Sequence, residues 1–390
     1  MNQVLNVDIT ILGGGIAGLW ILSRLSKAGY KTVLLEKNQL GGGQTGYSQG
    51  IIHGGTKYAL TGKLTGSSES IYEMPNRWRA CLEGHGEIDL SAVRLMSDHQ
   101  YMWSTTSLTS RMAGFFASKL MRSRTEPLDG SSRPELFQNS LFKGQVYKLN
   151  EPVLDSASLI DELFKLNKDK IFKADKYLIQ SGEPNLIQLD DEKTIESKLV
   201  ILAAGKGNGE ILNQLGLTQP QMQLRPLKMI MLRGDVLSTG VYAHCLGASA
   251  NPRITITSHF DSDGKTVWYV GGEPAEQGIK RSNAEQITAI KKELGELFPW
   301  IDFSKCQWAT LDIDRAENKM KDGSRPANAF ASRSGAIITT WPTKLALAPS
   351  LADEVEKLIN DITSSNDQVY PDWAMPELAL LPWQEEERWN

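Results

Sequence analysis

An apolar run, Ile9-Thr-Ile-Leu12, gives way to Gly13-Gly-Gly15 and then to apolar positions at helical spacing: Ile16, Leu19, Trp20, Leu22 and Leu25. That change of period predicts a buried strand, a turn and a helix from about Ile16 to Ala28, with Gly29 suited to its C-terminal cap. Thr32-Val-Leu-Leu-Glu36 predicts a second buried strand, so 7–37 reads as an opening βαβ unit. Regular patterning resumes at Asp155, with a helix over Ser158–Leu166, strands near 176–180 and 186–190, and the apolar strand Leu199–Ala204 running into Gly205. From 225 to 275 the pattern changes to strands of an antiparallel sheet, at Met229–Leu232, Arg253–Ser258 and Thr266–Val270. Asp263-Gly264 supplies a hairpin turn between the last two. Ser282 and Glu285 form a capping box ahead of the stripe Ile287, Ile290, Leu294, Leu297, and Pro299 ends that helix. Ile337–Thr340 and a helix over Ser350–Ile359 read as a return to the first layer, while 68–150 reads as helical and irregular.

Length and composition narrow the class. At 390 residues the chain exceeds one comfortable core, so two domains are expected. With 41% hydrophobic and 23% charged residues and a net charge of −4, it carries no electrostatic footprint for nucleic acid. No run has the length of a membrane span, and the N-terminus enters its first strand without a basic leader. Cys81, Cys245 and Cys306 are odd in number and far apart, and the five histidines lack metal-ligand spacing. A cytoplasmic, metal-free protein without disulfides is the expectation. In 111–124, Met112, Phe115, Phe116, Lys119 and Leu120 fall near helical spacing among basic residues. A buried helix with snorkelling ends is preferred there, and a lid or peripheral membrane contact is the alternative. The tail, with Trp373, Trp383, Trp389 and three prolines, is read as packing across its own subunit rather than docking a partner.

The chemistry concentrates at the opening unit. Gly13 permits the turn after the strand, Gly15 lets the backbone approach a pyrophosphate, and Gly18 lets the helix pack on the sheet. The helix N-terminus offers its N–H groups to phosphate. Glu36 follows Gly18 by 18 positions, close to the ~20 expected of a ribose-binding acid. These residues identify a dinucleotide site without saying which dinucleotide. A second strand ending in Ala203-Ala-Gly205 favours a flavin. The segment 41–66 has a linker's composition, yet it contains Ile51-Ile-His53 and Lys57-Tyr58, which a solvated linker does not need.

With these pieces placed, the chain resembles the flavin-dependent D-amino-acid oxidase superfamily, nearest its glycerol-3-phosphate dehydrogenase and L-2-hydroxyglutarate dehydrogenase branch. The resemblance runs over about residues 7–360. It is carried by Gly13–Gly18 with Glu36, by Gly43-Gln-Thr-Gly-Tyr-Ser-Gln-Gly50, by Ile51-Ile-His-Gly-Gly-Thr-Lys-Tyr58, by Ala203-Ala-Gly205, and by Ile338-Thr-Thr-Trp-Pro-Thr-Lys344. It implies an α/β fold (α+β overall), with a glutathione-reductase-like Rossmann FAD-binding domain and an antiparallel-sheet substrate domain. The FAD-binding domain is expected over 1–80, 151–224 and 320–362, the substrate domain over 81–150 and 225–319, and a tail over 363–390. The implied FAD contacts are Gly13, Gly14, Gly15, Ile16, Ala17, Gly18, Glu36, Lys37, Gly43, Gln44, Thr45, Ser48, Gln49, Gly50, Ala204, Gly205, Thr340, Trp341 and Lys344.

The resemblance also implies hydride removal by FAD from a C–H alpha to a hydroxyl or amine, with an electron acceptor that the sequence does not name. His53 is the candidate base, against a histidine that only bonds the loop backbone. Arg315 lies where the family grips the anionic end of a small substrate, against an ion pair with Asp312 or Glu317. Lys57 is a candidate assistant, and Lys344 a candidate cation beside the reduced flavin. The chain departs from the family where Ile313-Asp-Arg-Ala replaces Gly-x-Arg-Pro and where Thr340-Trp-Pro-Thr343 replaces a glycine-rich turn. An oxidant of a 2-hydroxy acid or polyol phosphate leads this reading. An amine or amino-acid oxidase, a nicotinamide enzyme and a non-catalytic flavoprotein are the alternatives.

Overall fold

The computed structural model describes residues 3–55, 71–105, 125–189, 192–247, 251–365 and 368–389. Lys57, Tyr58 and the segment 111–124 lie outside these described residues.

The opening strand Gln3–Leu12 lies at the centre of the first sheet. It pairs in parallel with Lys193–Leu202 on one side, with Ile9 opposite Leu199, and with Thr32–Glu36 on the other, with Ile9 opposite Thr32. Ile171–Lys173 and Ile337–Trp341 extend the parallel run, and Phe330–Ser334, Asn185–Gln188 and Leu178–Gln180 add antiparallel edges to make eight strands. Strands buried on both faces read as continuous apolar runs, which is why Ile9, Ile11, Leu12, Val33, Leu34 and Leu199–Leu202 are fully inside. The helix Ile16–Lys27 covers one face beside Ser156–Leu166 and Ala348–Lys357. A Cβ at Gly18 would stand 1.9 Å from the Gly13 carbonyl oxygen, so glycine alone permits this helix to seat on its own turn.

The second sheet also has eight strands, and it begins at one edge with the long pair Gln307–Asn318 and Met222–Arg233. Thr266–Gly271, Ile254–Phe260 and Tyr242–Cys245 follow, then Gln100–Ser104, Gln145–Leu149 and Thr125–Leu128. Two expectations are corrected here. The stretch 68–150 is helical at Met74–Leu82, but it also sends three strands into this sheet. The sheet is not purely antiparallel either, because Tyr242–Cys245 pairs in parallel with Gln100–Ser104. Short strands such as Thr125-Glu-Pro-Leu128 lack alternating polarity, so their pairing is a tertiary outcome without a local signal. The helix Asn283–Leu297 has the expected capping box and buries Ile290, Leu294 and Leu297 against the sheet, with Trp103, Trp268 and Phe298 filling the interior.

The C-terminal tail packs on its own chain. Ala374 accepts from Lys173 N at 2.8 Å, and Leu40 exchanges backbone hydrogen bonds with Glu377 and Ala379 at 2.8 and 2.9 Å. Trp383 then stacks on His259 at a centroid distance of 3.7 Å, and the Arg233 guanidinium lies 4.6 Å from the Trp389 ring centre. Trp373, Trp383 and Trp389 are all buried. The tail thus binds the edge of the first sheet, the loop after Glu36 and the second sheet in sequence.

Candidate flavin and substrate site

Between the carboxyl ends of the first sheet's parallel strands and one face of the second sheet lies a cavity of about 1240 Å³. Its first end is made of backbone. Gly13 has φ +113°, and a Cβ there would stand 2.6 Å from the Ala203 carbonyl oxygen, so the two strand ends approach only because glycine is present. Gly14 N–H donates to Glu36 Oε2 at 2.5 Å, and Asn38 N–H donates to Glu36 Oε1 at 2.7 Å. These bonds fix the acid at the end of its strand and leave each oxygen a further lone pair for a ribose hydroxyl. Gly15 caps the helix without a side chain, while Ile16 N–H donates to Thr45 Oγ1 at 3.1 Å. Apart from that amide, the helix N-terminus faces the cavity without a capping side chain. Tyr177, absent from the sequence reading, lines this end too, its hydroxyl pushed up to about 12 by burial and the nearby Glu36.

The middle of the cavity is bounded by the loop 41–50. Gln44 Oε1 accepts from Ala316 N at 3.1 Å, Ser48 Oγ lies 3.2 Å from Ser156 Oγ, and Gln49 Nε2 donates to the Tyr269 carbonyl at 3.2 Å. Gly50 has φ +69°, and a Cβ there would stand 2.1 Å from the Leu154 carbonyl oxygen. Across from it, Ala204 and Gly205 end the second parallel strand; Asn208 holds them by accepting from Ala204 N at 2.8 Å and donating to the Thr340 carbonyl at 3.0 Å. Trp341 is fully buried and donates its indole N–H to the Gly205 carbonyl at 3.1 Å, so it walls the cavity from within the core. Thr343 follows with φ +62°, a strained value for a β-branched residue, where the family resemblance leads one to expect glycine. Lys344 lines the cavity beyond it, and Lys37 is exposed at the opposite rim. Of the expected FAD contacts, Gly18 alone does not face the cavity; it serves helix packing.

The far end is made of charged side chains. Arg315 lies directly opposite Arg225 in the ladder of the two long strands. Like charges so placed repel, and Glu317 answers one of them: buried, it accepts from Arg225 Nε and Nη2 at 2.8 and 2.7 Å. Arg315 receives no such partner. Its Nε donates to the Arg225 carbonyl at 3.2 Å, and Glu276 stands 3.6 Å from its Nη2. Burial, with Arg225 and Arg325 nearby, pushes the guanidinium down to about 10. The expected alternatives are therefore not the observed pairs: Asp312 faces Lys228, and Glu317 belongs to Arg225. Arg325 also lines the cavity, with a buried Nε that has no hydrogen-bond partner among the described residues.

His53 lines the same end. Its Nδ1 lies 3.6 Å from Glu151 Oε2 and 3.5 Å from Gln100 Nε2, and its ring centre is 5.3 Å from that of His244. His244 comes from the second sheet, where Thr255 Oγ1 is 2.8 Å from its Nδ1. Arg225, Arg325, His244 and Glu151 were all missed from the sequence. Arg225, His244 and Glu151 lie far along the chain from the residues they meet, and Arg325, though near Arg315 in sequence, sits in no motif.

A glycine-built cradle ahead of a parallel sheet, with an acid fixed at the next strand end, defines a dinucleotide-binding oxidoreductase, and the cradle fits FAD through backbone that glycines leave clear of side chains. The chain belongs to the DAO family of FAD-dependent oxidoreductases, whose family description matches residues 8–329. It is 47% identical over 388 residues, 98% of this chain and 99% of the other, to a probable FAD-dependent oxidoreductase of Pseudomonas aeruginosa. The crystal structure of a Pseudomonas aeruginosa FAD dependent oxidoreductase superposes with a TM-score of 0.86 at 42% identity, covering 98% of this chain and 99% of that one. An alpha-glycerophosphate oxidase of Streptococcus pyogenes is 25% identical over 60% of this chain and 41% of its own. Two further structures share the fold: L-alpha-glycerophosphate oxidase of Mycoplasma pneumoniae with FAD bound, at TM-score 0.66, 12% identity and coverage of 97% and 99%, and glycine oxidase of Geobacillus kaustophilus, at 0.65, 15%, 94% and 99%. The protein is thus an FAD-dependent oxidoreductase.

Proposed function

We propose that this enzyme oxidises a small anionic 2-hydroxy acid or polyol phosphate at the C–H alpha to its hydroxyl. The observation that carries the reading is the Arg315 environment. A largely buried guanidinium faces two other arginines and, among the described residues, has a carboxylate no nearer than Glu276 at 3.6 Å as its ion-pair partner, so in this reading an anion completes the site. FAD, when bound, supplies the two-electron acceptor for the hydride. Arg315 holds the carboxylate or phosphate and so orients the carbon, while His53 takes the hydroxyl proton. Gly13–Gly15, Glu36, Thr45, Gln44, Gly205 and Lys344 hold the cofactor in this reading. The likeness to alpha-glycerophosphate oxidase supports a hydroxyl substrate over an amine.

Anaerobic stopped-flow reduction of the bound flavin tests the assignment. His53→Asn is expected to slow reduction about 10²- to 10⁴-fold at saturating substrate. Arg315→Ala is expected to weaken substrate binding about 100-fold with flavin retained. Unchanged reduction in both variants contradicts the proposed roles. The fold is shared with glycine oxidase, which motivates a second reading, an amine substrate; release of ammonia during turnover would favour it.

A further inference from the structure

Glu151 is 4% exposed, immediately before Pro152 and the strand Val153–Leu154, and belongs to no motif. One carboxylate oxygen accepts from Gly54 N–H at 2.8 Å, fixing the backbone just after His53. The other accepts from Gln100 Nε2 and faces His53 Nδ1 at 3.6 Å. The carboxylate thus holds the main chain just after His53 and stands beside the ring of the same histidine, whose Nδ1 also lies 3.5 Å from Gln100 Nε2, from a position nearly a hundred residues away. Gln100 is itself buried, so its amide sets Glu151 rather than answering to solvent.

We propose that Glu151 is a positioning residue that fixes His53 as the Nδ1–H tautomer and leaves Nε2 as the proton-accepting nitrogen toward the cavity. The inference rests on the reading of His53 as the base and specifies how the protein prepares it. A buried carboxylate favours the protonated imidazole, so Glu151 also raises the affinity of His53 for the proton it receives. The other titratable group facing the His53 ring among the described residues is His244, whose ring lies 5.3 Å away on the second sheet. The Thr255 hydroxyl, 2.8 Å from its Nδ1, holds that ring in place.

With five histidines in the chain, ¹⁵N-histidine NMR of the FAD-loaded protein reads each ring directly, and His53→Asn assigns the signal. The wild-type protein is expected to show a protonated Nδ1 and an unprotonated Nε2 at His53. Glu151→Gln is expected to titrate His53 about one pH unit lower and to mix the two tautomers. Glu151→Asp, which keeps the charge but withdraws it by one methylene, is expected to fall between. An Nε2–H tautomer in the wild-type protein overturns the proposal, as does a His53 titration indifferent to Glu151→Gln. If Glu151→Gln does not fold, the wild-type tautomer still decides. These readouts need no substrate: unaltered flavin reduction in His53→Asn would overturn the base assignment while leaving the Glu151 measurement standing.

Discussion

The two ends of the cavity are built by opposite means. At the Gly13–Glu36 end the contacts come from backbone, and side chains are kept away, since a Cβ at Gly13 would meet the Ala203 carbonyl at 2.6 Å. At the Arg315–His53 end they come from long side chains distant in the sequence: Arg225 and Arg315 face each other across a ladder, and Glu151 reaches back to His53. The first end accepts a cofactor whose phosphates and ribose do not vary. The second can change its ligand by exchanging one side chain. Glycine spacing therefore identifies the cofactor and says little about the substrate.

The largest expected effect breaks the first end. Gly13→Val places a β-branched residue at φ +113° against backbone, and the purified protein is expected to carry no flavin absorbance. Retention of stoichiometric flavin would refute the cradle. A smaller effect is expected behind the loop that joins the two ends. Trp383 packs on His259 and lies 5.5 Å from Tyr269, whose hydroxyl donates to the Tyr47 carbonyl at 3.0 Å. Trp383→Ala is expected to cost about 3–5 kcal/mol and to lower flavin retention, measured by denaturant titration with flavin fluorescence. An unchanged midpoint would mean the tail bears no load.

Acid should weaken the same junction. Burial pushes His259 from 6.5 down to about 3, with Thr257 Oγ1 at 2.9 Å from its Nε2. Between those values only the unfolded chain takes the proton, so stability falls as pH drops, by about 1.4 kcal/mol per pH unit. His259→Gln is expected to flatten that slope, followed by thermal melts from neutral to acid pH; an unaltered slope assigns the loss elsewhere. The smallest effect concerns the strained turn. Thr343→Gly relieves φ +62° but frees the unfolded chain and loses the 3.3 Å bond to the Asn328 carbonyl, so stability is expected to change by less than about 1 kcal/mol.

Legibility follows the same division. The helix from Ile16, the strand ending at Glu36 and the capping box at Ser282 are local, because apolar period and turn chemistry lie within one window. Thr125–Leu128 and Gln145–Leu149 were hidden within a stretch read as irregular, since their pairing depends on partners elsewhere. Arg315 could be singled out from its resemblance to a family position. Its opposition to Arg225, and the capture of Glu317 by that neighbour, depend on a strand register that no spacing in the sequence reveals. Glu151 carries no sequence signal at all, being an isolated acid before a proline.

The most direct test of the proposed activity is an anaerobic screen of the FAD-loaded enzyme against 2-hydroxy acids, polyol phosphates, amino acids and simple amines, following flavin bleaching. The expected result is rapid bleaching by an anionic hydroxy compound and its loss in Arg315→Ala. Bleaching by amines alone, or a flavin left oxidised by every anionic hydroxy compound, would contradict it.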